Sequence, residues 1–242
     1  MKRALRKQIK EDEFRSGIDH ATDFVRTHPQ ESRIILAAAL VVGLGGWGLA
    51  SWQAHRRAQA EDAFAAAHEI FAAPVRGEIP EGAPSPPPGP VFTAPAEKYR
   101  RAAQAFDDVA KRYGTSPAAV RARYYAALSR IELGENAEAE KSLREIVSRG
   151  GMEGDLSRLA LAESQRRSGR LSEAIDTYHQ MVDGPVGAVP REHALMRLAS
   201  ALEEAGRLKE AAATYRRVTD EFPESVFTAE ARRRATYLRG AS

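Results

Sequence analysis

Nineteen consecutive residues from Ile34 to Trp52, IILAAALVVGLGGWGLASW, carry no charge; Arg33 precedes them and His55, Arg56 and Arg57 follow. At about 1.5 Å per helical residue the run reaches roughly 28 Å, close to the hydrocarbon thickness of a bilayer. A core helix of a soluble domain is usually shorter or keeps a polar face, and this run has none. Residues 34–53 therefore read as a transmembrane anchor, with Trp47 and Trp52 suited to an interface that is apolar on one side and wet on the other. Ala58-Gln59-Ala60 has the small-x-small form of a cleavage site. Arg56 and Arg57 stand between the run and that site, where a cleavable signal is seldom charged, so an uncleaved anchor is the better reading.

Residues 1–33 carry eight Lys or Arg, whereas the twenty residues after the span carry two. Short segments rich in Lys and Arg stay cytoplasmic, so the N-terminus is expected inside and the rest of the chain outside. Within 1–33, Leu5, Ile9, Phe14, Ile18, Ala21 and Val25 recur at helical intervals. This predicts a helix over 1–28, ended before Pro29, which is either an amphipathic segment on the inner leaflet or a partner, or a solvated helix that only fixes topology.

The chain has no cysteine, which removes disulfides, thiol nucleophiles and thiolate metal sites. Its net charge of +3 is spread over a densely charged, balanced surface, unlike the basic stripe of a nucleic-acid binder. Alanine, leucine, glutamate and arginine abound, a helical composition. Helical patterning continues over 54–73, with Phe64, Ala67, His68 and Phe71 on one face. Eight of the thirteen prolines then fall within 74–95, which predicts an extended, semi-rigid insertion.

From 96 to 240 one pattern recurs. RYYAALSRIELGENAEAEKSLREIV from Arg123, RLALAESQRRSGRLSEAIDTYHQMV from Arg158 and LMRLASALEEAGRLKEAAATYRRVT from Leu195 align on Gly134, Gly169 and Gly206. Five residues after each glycine stands an alanine (Ala139, Ala174, Ala211). A large residue follows four further on (Leu143, Tyr178, Tyr215), then an apolar one (Ile146, Met181, Val218). Ala127, Ala162 and Ala199 provide small residues on the first helices. The glycine supplies a left-handed helix end, the alanine allows close approach of two helices, and the bulky residue fills the space between units.

This pattern resembles the tetratricopeptide repeat, a helix-turn-helix of about 34 residues. The resemblance covers residues 118–223, with full units expected at 120–154, 155–191 and 192–225 and a closing helix at 225–239 capped by Ser225. It departs at the aromatic position of each first helix, where Arg123, Arg158 and Leu195 stand. YRRAAQAFDDVAKRYGTSP reads as a second helix whose first is His55–Ala73 across the proline insertion. The expected fold class is all-α: one transmembrane helix, then a short α-solenoid with a closing helix.

No nucleophile with its base, paired histidine ligands or phosphate loop is found, so no enzyme, cofactor or metal is expected. The resemblance implies a partner-binding surface on the first helices, at Tyr124, Leu128, Leu159, Glu163, Arg166, Met196 and Ser200. The lysines and asparagines with which family members grip a terminal carboxylate are missing there. An inside N-terminus, one anchor and an outer repeat domain resemble the ancillary subunits of the bacterial Sec translocon, single-span proteins that connect emerging chains to periplasmic chaperones. The resemblance implies the inner membrane as location, with translocon, chaperone or exported protein as partner. The alternative is a structural organiser of envelope or outer-membrane assembly or of division. In the anchor, Ala39, Gly43, Gly46 and Ala50 are spaced 4-3-4 on one helix face, which suits packing against a copy of the chain or a channel helix.

Overall fold

The computed structural model describes residues 26–27, 29–76 and 89–240. The expected N-terminal helix over 1–28 lies outside the described residues apart from Arg26 and Thr27, which are helical; the proline-rich stretch 77–88 lies outside them entirely. The chain divides into two units, Met1–Arg56 and Arg57–Ser242.

The elements are helices: α1 (Pro29–Ala72), α2 (Pro95–Tyr113), α3 (Pro117–Glu132), α4 (Asn136–Val147), α5 (Gly151–Arg167), α6 (Leu171–Asp183), α7 (Arg191–Glu204), α8 (Leu208–Glu221) and α9 (Thr228–Gly240). Anchor and following helix are thus one continuous element, with Pro29 at its first turn where its missing N–H costs nothing. This helix is long and apolar enough to cross a membrane. Its large side chains, from Ile34 and Ile35 to Trp47 and Trp52, are exposed.

In the second unit the expected α-solenoid is realised as helix pairs. Each pair turns on a glycine of positive φ: 80° at Gly134, 74° at Gly169 and 74° at Gly206. The same two bonds close each turn. The glycine N–H donates to the carbonyl three residues back (Ile131, Arg166, Glu203), at 3.0 Å in every copy. The next N–H donates to the carbonyl five residues back (Arg130, Gln165, Leu202), at 2.9 Å in every copy. This is the Schellman closure, and it satisfies carbonyls that a helix end otherwise leaves orphaned. Ala127, Ala162, Ala199, Ala139, Ala174 and Ala211 are all fully buried, as are Leu143 and Tyr178.

Ahead of the repeats, the end of α1 packs on α2 and α3 through a ring cluster. Phe64, Phe71 and Phe106 surround Tyr125, and His68 meets that tyrosine edge-on at 5.1 Å. The ends of the proline-rich insertion are pinned by an isolated parallel bridge between Val75 and Phe92, with Arg76 N–H donating to the Phe92 carbonyl at 2.8 Å. The extended, semi-rigid insertion was expected over 74–95; at its flanks Val75 and Phe92 are buried.

At the far end α9 buries Ala231, Ala235 and Leu238 against the last pair. It begins at Thr228 and not at the expected 225. Ser225 is no N-cap: its hydroxyl accepts from Phe227 N–H at 3.3 Å inside the preceding turn.

Candidate functional site

The first helices α3, α5 and α7 carry the expected site residues at repeat-equivalent positions. Ten residues before each turn glycine stand Tyr124, Leu159 and Met196; six before it, Leu128, Glu163 and Ser200; three before it, Ile131, Arg166 and Glu203. Helical spacing of three and four residues lines these up as one stripe per helix.

Between α3 and α5 the stripes enclose a groove of about 200 Å³. Its floor is Tyr124, Leu128, Ile131, Leu156 and Leu159, and its rim carries Glu163, Glu132 and Arg167. Four of the seven expected residues, Tyr124, Leu128, Leu159 and Glu163, therefore meet in one place. Ile131 and Leu156 were not singled out from the sequence, although extending each stripe by one turn reaches them. The volume falls below the roughly 300 Å³ at which small-molecule sites begin, and suits a large side chain or two.

Arg166, Met196 and Ser200 are elsewhere. Met196 is half-buried against the core of the last two pairs, and Ser200 is exposed. Arg166 bridges α5 to α7: its Nε donates to Glu163 at 3.1 Å and its Nη1 to Glu204 at 2.9 Å. Glu163 also accepts from the Tyr178 hydroxyl at 2.8 Å and lies 3.4 Å from Arg197. Burial, with Glu163 adding to it, pushes the Tyr178 hydroxyl well above the usual phenol range, so it stays a neutral donor. Burial and Glu203 likewise push Tyr215 up to about 12. Arg197 Nε donates to His193 Nε2 at 3.2 Å, and the His193 ring stacks on Phe227 at 5.7 Å. Burial, aided by Arg197, lowers the His193 pKa, which keeps Nε2 free to accept.

A second polar cluster went unforeseen. Glu140 is buried on α4 and receives Ser164 Oγ at 3.1 Å, Arg144 at 3.1 Å and Arg170. It ties the α3–α4 pair to α5 and the turn that follows it. Equivalent positions on α6 and α8 hold buried Ile175 and Ala212, so no repeat pattern announces a charge there.

In the anchor Ala39, Gly43, Gly46 and Ala50 are exposed, and a Cβ added at Gly43 or Gly46 would meet nothing within 4 Å. Among the described residues no group of three or more His, Asp or Glu side chains is placed to hold a metal ion.

A family model described as a tetratricopeptide repeat-like domain matches residues 29–179, and one described as a tetratricopeptide repeat matches residues 159–226. No curated protein matches the chain. Among solved structures, the nearly identical TPR-like repeats of a Podosopora anserina protein described as a kinesin light chain align with a TM-score of 0.47 at 16% identity. That alignment covers 60% of this chain and 86% of that one. A second crystal structure of such repeats aligns with a TM-score of 0.46 at 15% identity, over 62% and 96%.

Proposed function

The chain belongs to the family of tetratricopeptide repeat-like domains, and from that premise we propose that it is a membrane-tethered scaffold whose α3–α5 groove holds a protein partner. The observation that carries the reading is the groove itself: five half-buried apolar side chains that line an opening between two first helices. Apolar surface gains about 25 cal/mol per Å² when a partner covers it, so such a floor favours an apolar anchor.

The finer placement rests on the sequence. The charge-free span and the basic N-terminal flank favour a single-pass protein of the bacterial inner membrane, N-terminus cytoplasmic and repeats periplasmic. Together with the repeats this favours a place beside the Sec translocon, linking exported proteins to chaperones. The test is cross-linked co-purification of the full chain from native membranes, unchanged against Leu128→Arg. Translocon subunits should accompany the unchanged chain and drop at least about tenfold with the variant, a loss of about 1.4 kcal/mol. Recovery of outer-membrane or wall-assembly components in their place would overturn the translocon reading, and equal recovery with Leu128→Arg would overturn the groove.

A further inference from the structure

The two ends of the repeat array are built differently. At the C-terminal end α9 lays Ala231, Ala235 and Leu238 over the last pair. Repeat arrays need such a cover, because each pair exposes an apolar side to the next. At the other end the first pair is the last third of α1 with α2. One side of α2 is satisfied by α3: Phe106 stacks on Tyr125 at 5.3 Å, and Asp107 pairs with Arg130. The opposite side forms an open groove of about 260 Å³, lined by Ala63, Ala66 and Ile70 of α1 and Ala105, Val109 and Tyr113 of α2. No helix covers it among the described residues. Alanines along both walls let another helix approach closely, since interaxial distance follows side-chain size.

The charges beside this groove name the occupant. On α1, helical spacing puts Asp62 and Glu69 next to Ala66 on the outward side, and both are exposed. On α2 it puts Arg101 and Lys111 beside Ala105 and Asp108, again exposed. One wall is thus acidic and the other on balance basic. A two-fold axis through the groove would bring the α1 of one copy onto the α2 of the other, twice over, with opposite charges facing at both contacts. We propose that this end of the array is where two copies of the chain meet, as an isologous pair. The proposal is independent of the α3–α5 groove and of any partner there.

The test uses the full chain in detergent micelles, with Gly43→Leu and Gly46→Leu in every copy so that the anchor stripe contributes nothing. A cysteine at exposed Ser172 carries donor or acceptor dyes, which the cysteine-free sequence makes clean. Energy transfer is measured for the parent, for Asp62→Lys with Glu69→Lys, and for Arg101→Glu with Lys111→Glu. The parent should self-associate. Each reversed variant should lose about tenfold or more in affinity, because like charges then face each other, and an equimolar mixture of the two should recover the parental value. Oxidation should also join a copy carrying A66C to a copy carrying Q104C. Arg101 additionally lies 5.9 Å from the Phe92 ring, so melting curves are recorded for each variant. Absence of transfer in the parent, undiminished transfer in both reversed variants, or a mixture that fails to recover while each variant melts like the parent would overturn the interface.

Discussion

The two intervals between first helices, α3–α5 and α5–α7, occupy the same place in the repeat and are finished in opposite ways. In the first, Tyr124, Leu128, Ile131, Leu156 and Leu159 leave an apolar groove. In the second, the Arg166 side chain crosses from Glu163 to Glu204, and Arg197 reaches back toward Glu163. The backbone scaffold is shared, down to identical turn bonds at Gly134 and Gly169. The difference lies in side chains: Tyr124, Leu128 and Ile131 on the first interval against Arg166, Arg197 and Glu204 on the second, of which Arg197 and Glu204 stand beside the stripe. Charges beside both intervals are spent internally: Arg166 and Arg197 of the second, and Arg167 with Glu132 on the rim of the first, are all paired within the chain.

That contrast separates two substitutions that the sequence treated alike. Both are half-buried, but Tyr124 packs on the small cluster around Leu143 and Leu161 and lines the open groove, whereas Met196 packs on the larger cluster of the last two pairs. Met196→Ala is expected to destabilise the fold by about 2 kcal/mol, at the low end of buried Met→Ala costs because the side chain is half-buried. Tyr124→Ala, half-buried on its own cluster, should also lower melting, and it alone of the two should weaken partner capture. Thermal melts and co-purification of the two single variants check this, and the reverse pattern would exchange the roles of the two intervals.

Glu163→Gln probes the closed interval. The change removes one negative charge facing Arg166 and Arg197 and weakens the acceptor for buried Tyr178. Loss of such a partly buried charged hydrogen-bond acceptor costs about 1–3 kcal/mol. Chemical denaturation should show a lower midpoint with an unchanged slope.

The smallest effect concerns pH. Folding lowers the His193 pKa, so between the folded value and the unfolded one, near 6.5, the unfolded chain binds more protons. Stability from this group is complete above the unfolded pKa and declines as pH falls toward the folded one. The groups facing it do not reverse the sign: Arg197 lowers the pKa further, and Glu163 and Glu192 raise it less than burial and Arg197 lower it. His193→Gln should flatten this part of the stability–pH curve, as read from melting temperatures between about pH 7.5 and 5.5.

Much of this fold is written at the level of local chemistry. Gly134, Gly169 and Gly206, the alanines five residues on and the large residues after them state the repeat in the sequence, because each answers a demand of its own turn or helix contact. The groove was half legible for the same reason, since Tyr124 and Leu128 share a helix face and repeat spacing brings Leu159 and Glu163 opposite. What was not legible depends on distant residues meeting. The Arg166–Glu204 pair spans 38 positions, and beyond its own-helix neighbour Arg144 the partners of Glu140 are Ser164 and Arg170, 24 and 30 positions away. No periodicity records those. The start of the closing helix was misplaced by three residues because Ser225, a good capping residue by type, spends its hydroxyl within the turn ahead of the helix.

The central claim is that the partner sits in the open interval and not in the closed one. The most direct measurement places a photo-reactive amino acid at Leu128 in one full-length chain and at exposed Ser200 in another, and irradiates both in native membranes. A heavier adduct containing a second protein from position 128, with none above background from position 200, is the predicted result. Adducts from position 200 with none from position 128 would contradict it.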